Sequence, residues 1–287
     1  MNKDRIGIVC KEDNRDVLAL VARVLKWLEK GDIPYVLEDH IAAYLGQEYT
    51  VDVWSNANLL VAIGGDGTLL RAARLSSHRN VPILGVHMGS LGFLTEITED
   101  KVEAAIEAIL SGEGEYVKDK RTMFETTLIR DDNIIASKLV LNDAVINKGA
   151  LARIIDIEVW VNTTFITRYR ADGLILSTPT GSTAYNLAAH GPIVYPHVPA
   201  IILTPICPHV LSNRSIVLPD SQEVEIVLSA QVSSGNVYLT LDGQRGYPME
   251  GGDKVVVKKA RHKAVLMRSP KRDFFEVLRT KLRWQER

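Results

Sequence analysis

Residues 64–68 read Gly-Gly-Asp-Gly-Thr and follow directly on the apolar run Leu59-Leu60-Val61-Ala62-Ile63. A strand thus delivers one carboxylate, Asp66, into a turn made almost wholly of glycine. Glycine reaches positive φ and lets a ligand come close to the backbone amides. From Thr68 the chain takes on helical spacing, with Leu69, Leu70, Ala72, Ala73 and Leu75. Free N–H groups at a helix start attract phosphate. A carboxylate there repels phosphate unless it has a task, such as binding Mg²⁺ or accepting a proton from an attacking hydroxyl. The plain alternative is a tight strand-to-helix turn with a solvated aspartate.

A second glycine cluster follows the next apolar run: Gly85-Val86-His87-Met88-Gly89-Ser90-Leu91-Gly92-Phe93-Leu94-Thr95. In an open α/β sheet, ligands bind at the carboxyl ends of strands, so two such loops can frame one nucleotide. Asn142-Asp143 interrupts the apolar stretch Leu139–Ile146, and Asx side chains suit ribose hydroxyls or adenine nitrogens. Further on stand Arg168-Tyr169-Arg170-Ala171-Asp172-Gly173 and then Ser177-Thr178-Pro179-Thr180-Gly181-Ser182-Thr183-Ala184-Tyr185. A hydroxyl-rich turn before a helix makes another anion- or ribose-binding surface. Tyr185 can stack on a base, Arg170 can meet a phosphate, and Asp172 a base or ribose donor. No P-loop, no dinucleotide fingerprint with its third glycine, no Gly-x-Ser-x-Gly elbow and no His-Glu-x-x-His pair occurs. The seven histidines are scattered, so no protein-made metal cage is expected.

The elements that must position these residues fall into two textures. Up to about residue 115 strands and helices alternate. Strands are expected at Arg5–Cys10, Ile33–Leu37, Asn58–Ile63 and Val81–Val86. Helices are expected at Asp16–Lys30, closed by Gly31, and from a Thr98 cap to Leu110, stopped by Gly112. Alternation of this kind means a parallel sheet covered by helices. Beyond it, short strands follow closely: Thr126–Ile129, Ser137–Ile146, Ile154–Val161, Thr164–Arg168, Leu174–Ser177, Ala200–Thr204, Glu223–Leu228, Val237–Leu241, Lys254–Val257 and Ala264–Met267. These suggest a sandwich or stacked-sheet domain. Asp273–Arg283 reads as a last helix with Phe274, Val277, Leu278 and Leu282 on one face. The expected organisation is a Rossmann-like α/β domain over residues 1–115, completed by a C-terminal helix within 270–287, and an all-β domain of stacked sheets over 116–269.

At 287 residues the chain is long enough for two modest domains. It is 46% hydrophobic and 24% charged with a net charge of −1, which reads as soluble and globular without an attraction to nucleic acid or membrane. The basic stretch Lys258–Arg287 is diluted by apolar residues and reads as a solvated helix face. Two cysteines, Cys10 and Cys207, make neither a disulfide framework nor a zinc site, which fits a reducing cytoplasm. No signal-peptide pattern stands at Met1–Arg5.

The chain resembles the NAD kinases. The resemblance rests on Gly64-Gly65-Asp66-Gly67-Thr68, Gly89-Ser90-Leu91-Gly92-Phe93-Leu94, Asn142-Asp143, and Asp172-Gly173 followed by Thr178 to Tyr185, in that order. It spans residues 5 to 245, and the last motif is the most specific; the glycine-Asp turn alone is shared with diacylglycerol kinases and 6-phosphofructokinases. The resemblance implies an α/β domain, a β domain and an active site between them. It implies that ATP and NAD are substrates giving NADP and ADP, with a divalent metal, Mg²⁺ by preference, in a homodimer or homotetramer. By position, Asp66 matches the proton acceptor for the adenosine ribose 2′-hydroxyl. Gly67 and Arg71 match nucleotide contacts. Asn142 and Asp143 match the pair that holds NAD, and Arg153, Arg170 and Asp172 further dinucleotide contacts. Thr183, Ala184, Tyr185, Asn186, Leu187 and Ala188 match a loop-helix that cups an adenosine moiety, and Gln244 a late contact. Arg170 also resembles the arginine of members that favour NAD over NADH.

Two positions depart from the family pattern: His87, where asparagine is usual, and His190, where glycine is frequent. Two rival readings remain. A lipid or sugar kinase shares the glycine-Asp turn, but residues 178–185 argue against it. A non-catalytic NAD(P)-binding sensor has no need of Asp66 in a phosphate loop.

Overall fold

The computed structural model describes residues 5–11, 14–46, 53–89, 92–112, 115–149, 153–210, 212–230 and 236–284. The chain divides into two compact units, residues 1–120 with 264–287, and residues 121–263.

In the first unit a parallel sheet runs in the order Tyr35–Leu37, Ile6–Cys10, Leu59–Gly64, Pro82–His87, and then the end of the strand Lys254–Arg268. The apolar runs are buried on both faces, as a parallel sheet under helices demands. The helix Arg15–Lys30 packs Val17, Leu20, Val21, Val24 and Leu28 inward. It starts at Asn14, whose Oδ1 accepts from the amides of Asp16 (3.0 Å) and Val17 (3.1 Å). Gly31 follows it, yet the left-handed residue that turns the chain is Asp32 at φ 52°. The helix Val102–Ser111 ends on Gly112 at φ 69°. The C-terminal helix Phe274–Leu282 is capped by Asp273 and buries Val277 and Leu278.

Strand register sets the two glycine loops side by side. Ile63 pairs with Val86 and Gly64 with His87, so adjacent parallel strands reach their carboxyl ends together. The Met88 amide then donates to the Gly64 carbonyl at 3.1 Å.

The second unit is β-rich. Thr164–Ala171, Ile155–Val161, Val224–Leu228 and the start of Lys254–Arg268 form one antiparallel array. The other sheet runs Ile216–Pro219, Ala200–Ile206, Gly173–Ser177, Asp143–Lys148, Val237–Leu241, Arg245–Met249. Alternating burial along Ile155–Val161 and Val224–Leu228 sends one face of the first array into a core that also takes Ile146, Leu174, Leu176 and Leu239 from the other. The fold class is therefore the expected one, α/β followed by stacked β-sheets.

Several expected bounds shift. Ser137–Ile146 is two strands, Asn133–Val140 and Asp143–Lys148, because the chain turns at Leu141-Asn142. Lys254–Val257 and Ala264–Met267 are parts of one strand, Lys254–Arg268. Its middle carries Lys258, Lys259 and Arg261 facing solvent, so the first half of the basic stretch is a strand and not a helix face.

Candidate functional site

The helix after the first glycine turn begins at Asp66, not Thr68, with Gly65 as its N-cap. The Asp66 side chain does not cap its own helix. It reaches to the second glycine loop, where Oδ2 accepts from the Phe93 amide (2.9 Å) and Oδ1 from the amides of Leu94 (3.0 Å) and Thr95 (3.3 Å). A carboxylate offers about four lone-pair sites. Oδ1 has used both of its own, and Oδ2 keeps one. Gly65 and Gly67 are exposed beside it.

This arrangement explains a glycine in the second loop. A Cβ at Gly92 would stand 2.1 Å from Asp66 Oδ1 and 2.7 Å from its Cγ. Gly92→Ala must therefore push the carboxylate off its amides. It is expected to lower any turnover that depends on Asp66 by about 100-fold, the usual cost of an ångström's misplacement. Steady-state kinetics beside a melting curve would show kcat and Tm falling together, because the amides of Phe93, Leu94 and Thr95 lose their acceptor. Ser90 and Leu91 of the same motif lie outside the described residues.

Arg71, on the same helix as Asp66, makes a two-pronged ion pair with Glu38 (2.8 and 3.1 Å) and donates to the Cys10 carbonyl (2.7 Å). Glu38 Oε2 also accepts from the Cys10 amide at 3.3 Å. These bonds set the guanidinium at the carboxyl ends of the strands. Glu38 has no motif around it, so its role was invisible in the sequence. His87 is buried and donates from Nδ1 to the Gly89 carbonyl (3.1 Å), fastening the start of the second loop.

In the second unit Asn142, Asp143, Ala184 and Tyr185 line one cavity of about 290 Å³, with Thr240, Asp242, Gly243, Val145 and Asn147. Asp242 organises its floor. The Asp242 carboxylate accepts from the amides of Leu141 (3.1 Å), Asn142 (2.8 Å) and Asp143 (3.3 Å). Asp143 is buried beside it, and its pKa is pushed up to about 7, first by loss of water and then by the Asp242 charge. Among the described residues, the buried Oδ1 atoms of Asn142 and Asn147 have no hydrogen-bond partner. A buried acceptor without a donor is costly, and both residues belong to the wall of this cavity. Asp242 and Asn147 escaped sequence reasoning.

The other expected residues stand at different depths. Tyr185 is 44% exposed on the short helix Tyr185–Ala188. Its neighbour Asn186 is fully buried: Nδ2 donates to the carbonyls of Ser182 and Pro192 (both 3.0 Å), and Oδ1 accepts from Thr204 Oγ1 (2.7 Å). The Asn186 side chain therefore builds the loop from within. Thr183 and Leu187 are half-buried and Ala188 is exposed. Asp172 pairs with Lys148 at 3.6 Å, and Arg153 and Arg170 are exposed. Gln244 donates its amide to the Leu241 carbonyl within the 241–244 turn. His190 takes φ 62°, a left-handed conformation that glycine adopts without cost.

Among the described residues no group of three or more His, Cys, Asp and Glu side chains is placed to hold a metal ion. No helix among them is long and apolar enough to cross a membrane.

The sequence matches the ATP-NAD kinase N-terminal domain over residues 6–116 and the ATP-NAD kinase C-terminal domain over residues 141–269. It is 49% identical over 285 residues to the NAD kinase of Geobacter metallireducens, covering 99% of each chain. It is 48% identical over 287 residues to that of Geobacter sulfurreducens, again covering 99% of each. The fold is similar to that of yeast NADH kinase complexed with NADH, with a TM-score of 0.91 and 24% identity over 99% of this chain and 89% of that one. It is also similar to an NAD kinase from Archaeoglobus fulgidus in complex with ATP, with a TM-score of 0.76 and 24% identity over 97% and 98%. From these matches along nearly its whole length, the chain belongs to the NAD kinase family.

Proposed function

We infer that the protein transfers the γ-phosphoryl group of ATP to the 2′-hydroxyl of the adenosine ribose of NAD, giving NADP and ADP. The single observation that carries the residue-level mechanism is the Asp66 carboxylate, oriented by three amides with one lone pair of Oδ2 to spare. A ribose hydroxyl is a poor nucleophile until its proton is accepted, and Oδ2 accepts it as the phosphoryl group moves. The proton ends on Asp66 and the transferred group on the hydroxyl oxygen. Most of the acceleration comes from alignment of hydroxyl and γ-phosphate and from neutralising charge with amide N–H groups.

Asn142, Asp143 and Tyr185 hold the dinucleotide in the cavity that they line, with an ionised Asp143 accepting from ligand hydroxyls. Arg153, Arg170 and Asp172 make outer contacts, Gln244 a late one, and Gly67 and Arg71 contact the nucleotide beside Asp66. The divalent cation, Mg²⁺, enters on the phosphates of ATP as part of the substrate, since Mg²⁺ is commonly held by substrate phosphates and one or two carboxylates. The proposed working form is a cytoplasmic homodimer or homotetramer, which sedimentation would size.

The test is purified protein with NAD, ATP and Mg²⁺, with NADP read through an NADP-specific dehydrogenase. Signal that needs both nucleotides is the expected result. No signal, while NAD or NADP still raises Tm, would replace the kinase by a binding protein.

A further inference from the structure

The Phe93–Thr95 loop that grips Asp66 is itself gripped from behind. Arg272, just before the C-terminal helix, donates from one guanidinium nitrogen to the Thr95 carbonyl and from the other to the Gly92 carbonyl (3.1 Å). The Gly92 carbonyl and the Phe93 N–H are the two ends of one peptide unit, held by Arg272 and by Asp66 respectively. Arg272 is aimed by Glu96, whose buried Oε2 lies 3.6 Å from Arg272 and 2.9 Å from Arg268. Glu96 Oε1 accepts from the Ser269 amide at 2.9 Å, which ties down the segment that carries Arg272.

We propose that Arg272 is a positioning residue for catalysis: by holding the carbonyls of Gly92 and Thr95 it presents the neighbouring amides to Asp66 and so fixes where Oδ2 meets the hydroxyl. The proposal rests on Asp66 being the proton acceptor. It goes beyond it, because nothing in the chemistry of the reaction calls for a cation at residue 272. Hydrogen bonds in a chain reinforce one another, so the charge on the Gly92 carbonyl strengthens the Phe93 N–H bond to Asp66. At Thr95, whose peptide N–H on Glu96 bonds Gly85, Arg272 acts by holding the loop in place. Arg272 also borders a cavity of about 350 Å³ lined by His87, Thr98, Lys101 and Thr280. Truncating it removes aim from the loop without emptying a packed apolar core.

The test uses the full chain with Arg272→Met, Arg272→Lys, Asp66→Asn and the double variant Asp66→Asn/Arg272→Met. Arg272→Met is expected to lower kcat by about 100-fold, with KM for NAD unchanged. Arg272→Lys should recover part of that loss, since an ammonium can hold one carbonyl but lacks the planar fork. The double variant should be no slower than Asp66→Asn alone. Amide hydrogen exchange gives a readout apart from activity: the Phe93 amide first, and with it those of Leu94 and Thr95, should exchange about 10-fold faster in Arg272→Met, while amides in Leu59–Gly64 keep their protection. Wild-type kcat in Arg272→Met, unchanged exchange at 93, or a full additional loss in the double variant would each overturn the proposal. So would a loss that merely follows Tm and is equal for Met and Lys. An active Asp66→Asn would instead sink the proton-acceptor reading, so the two failures are distinct.

Discussion

Asp66→Asn is expected to lower kcat by about 10²- to 10⁴-fold, the range that a positioned general base contributes, while KM for NAD changes little. The amide side chain cannot take the hydroxyl proton. It also cannot fully replace the carboxylate as an anchor. If its Oδ1 keeps the amides of Leu94 and Thr95, its Nδ2 faces the Phe93 N–H, which the carboxylate met at 2.9 Å. Two donors then oppose each other, and the loop loses one bond at a cost of about 1–3 kcal/mol. Some loss of Tm is therefore expected alongside the catalytic defect. Asp66→Glu separates the two roles: it keeps the base but moves it by a methylene. A large fall in kcat for both variants is the result expected of a base whose place matters as much as its charge. Turnover near wild type in Asp66→Asn would refute the assignment.

The second large effect runs in opposite directions for stability and function. Asp143 has its pKa pushed up to about 7 by burial and by Asp242, so the folded protein holds this proton at pH values where the unfolded chain has lost it. Stability then falls as pH rises from about 4 to about 7 and is flat beyond, where the charge costs on the order of 4 kcal/mol. Asp143→Asn carries no charge to bury. It is expected to melt above the wild type at about pH 8, with the gap narrowing towards about pH 5. The same variant should bind NAD about 10- to 100-fold more weakly, because charge-assisted bonds to ligand hydroxyls are lost. In the wild type, NAD affinity should rise between about pH 6 and pH 8, and in Asp143→Asn that rise should vanish. Scanning calorimetry and titration calorimetry on the two proteins decide both halves. Equal Tm values at about pH 8 would mean that the carboxylate is not paying for its burial.

Much of this was legible in the residues. Apolar runs ending in glycine located both loops, and the amphipathic face of Arg15–Lys30 emerged as spaced. What failed had local causes. Asp39–Leu45 and Val53–Asn56 are too short to show a helical period. Arg245–Met249, which contains Gly246 and Pro248, is absent from the expected strands; it is an edge strand, where proline is tolerated. The outward charges of Lys258, Lys259 and Arg261 cut one long strand into two apparent ones. In the site, the motifs marked the residues proposed to meet ligands, together with the inward-facing Asn186, but not Glu38, Asp242 or Arg272. Glu38, Asp242 and Arg272 act through backbone groups far along the chain, and no spacing rule links such positions.

Asn186 sits in the motif yet looks inward, its amide wholly spent on Ser182, Pro192 and Thr204. A Cβ at Gly191 would stand 2.0 Å from its Oδ1. Saturation mutagenesis read out by NADP output will therefore flag 186 and 191 as strongly as Tyr185. A footprint drawn from such scores would extend one layer below the proposed nucleotide surface, into side chains bonded only to the protein itself.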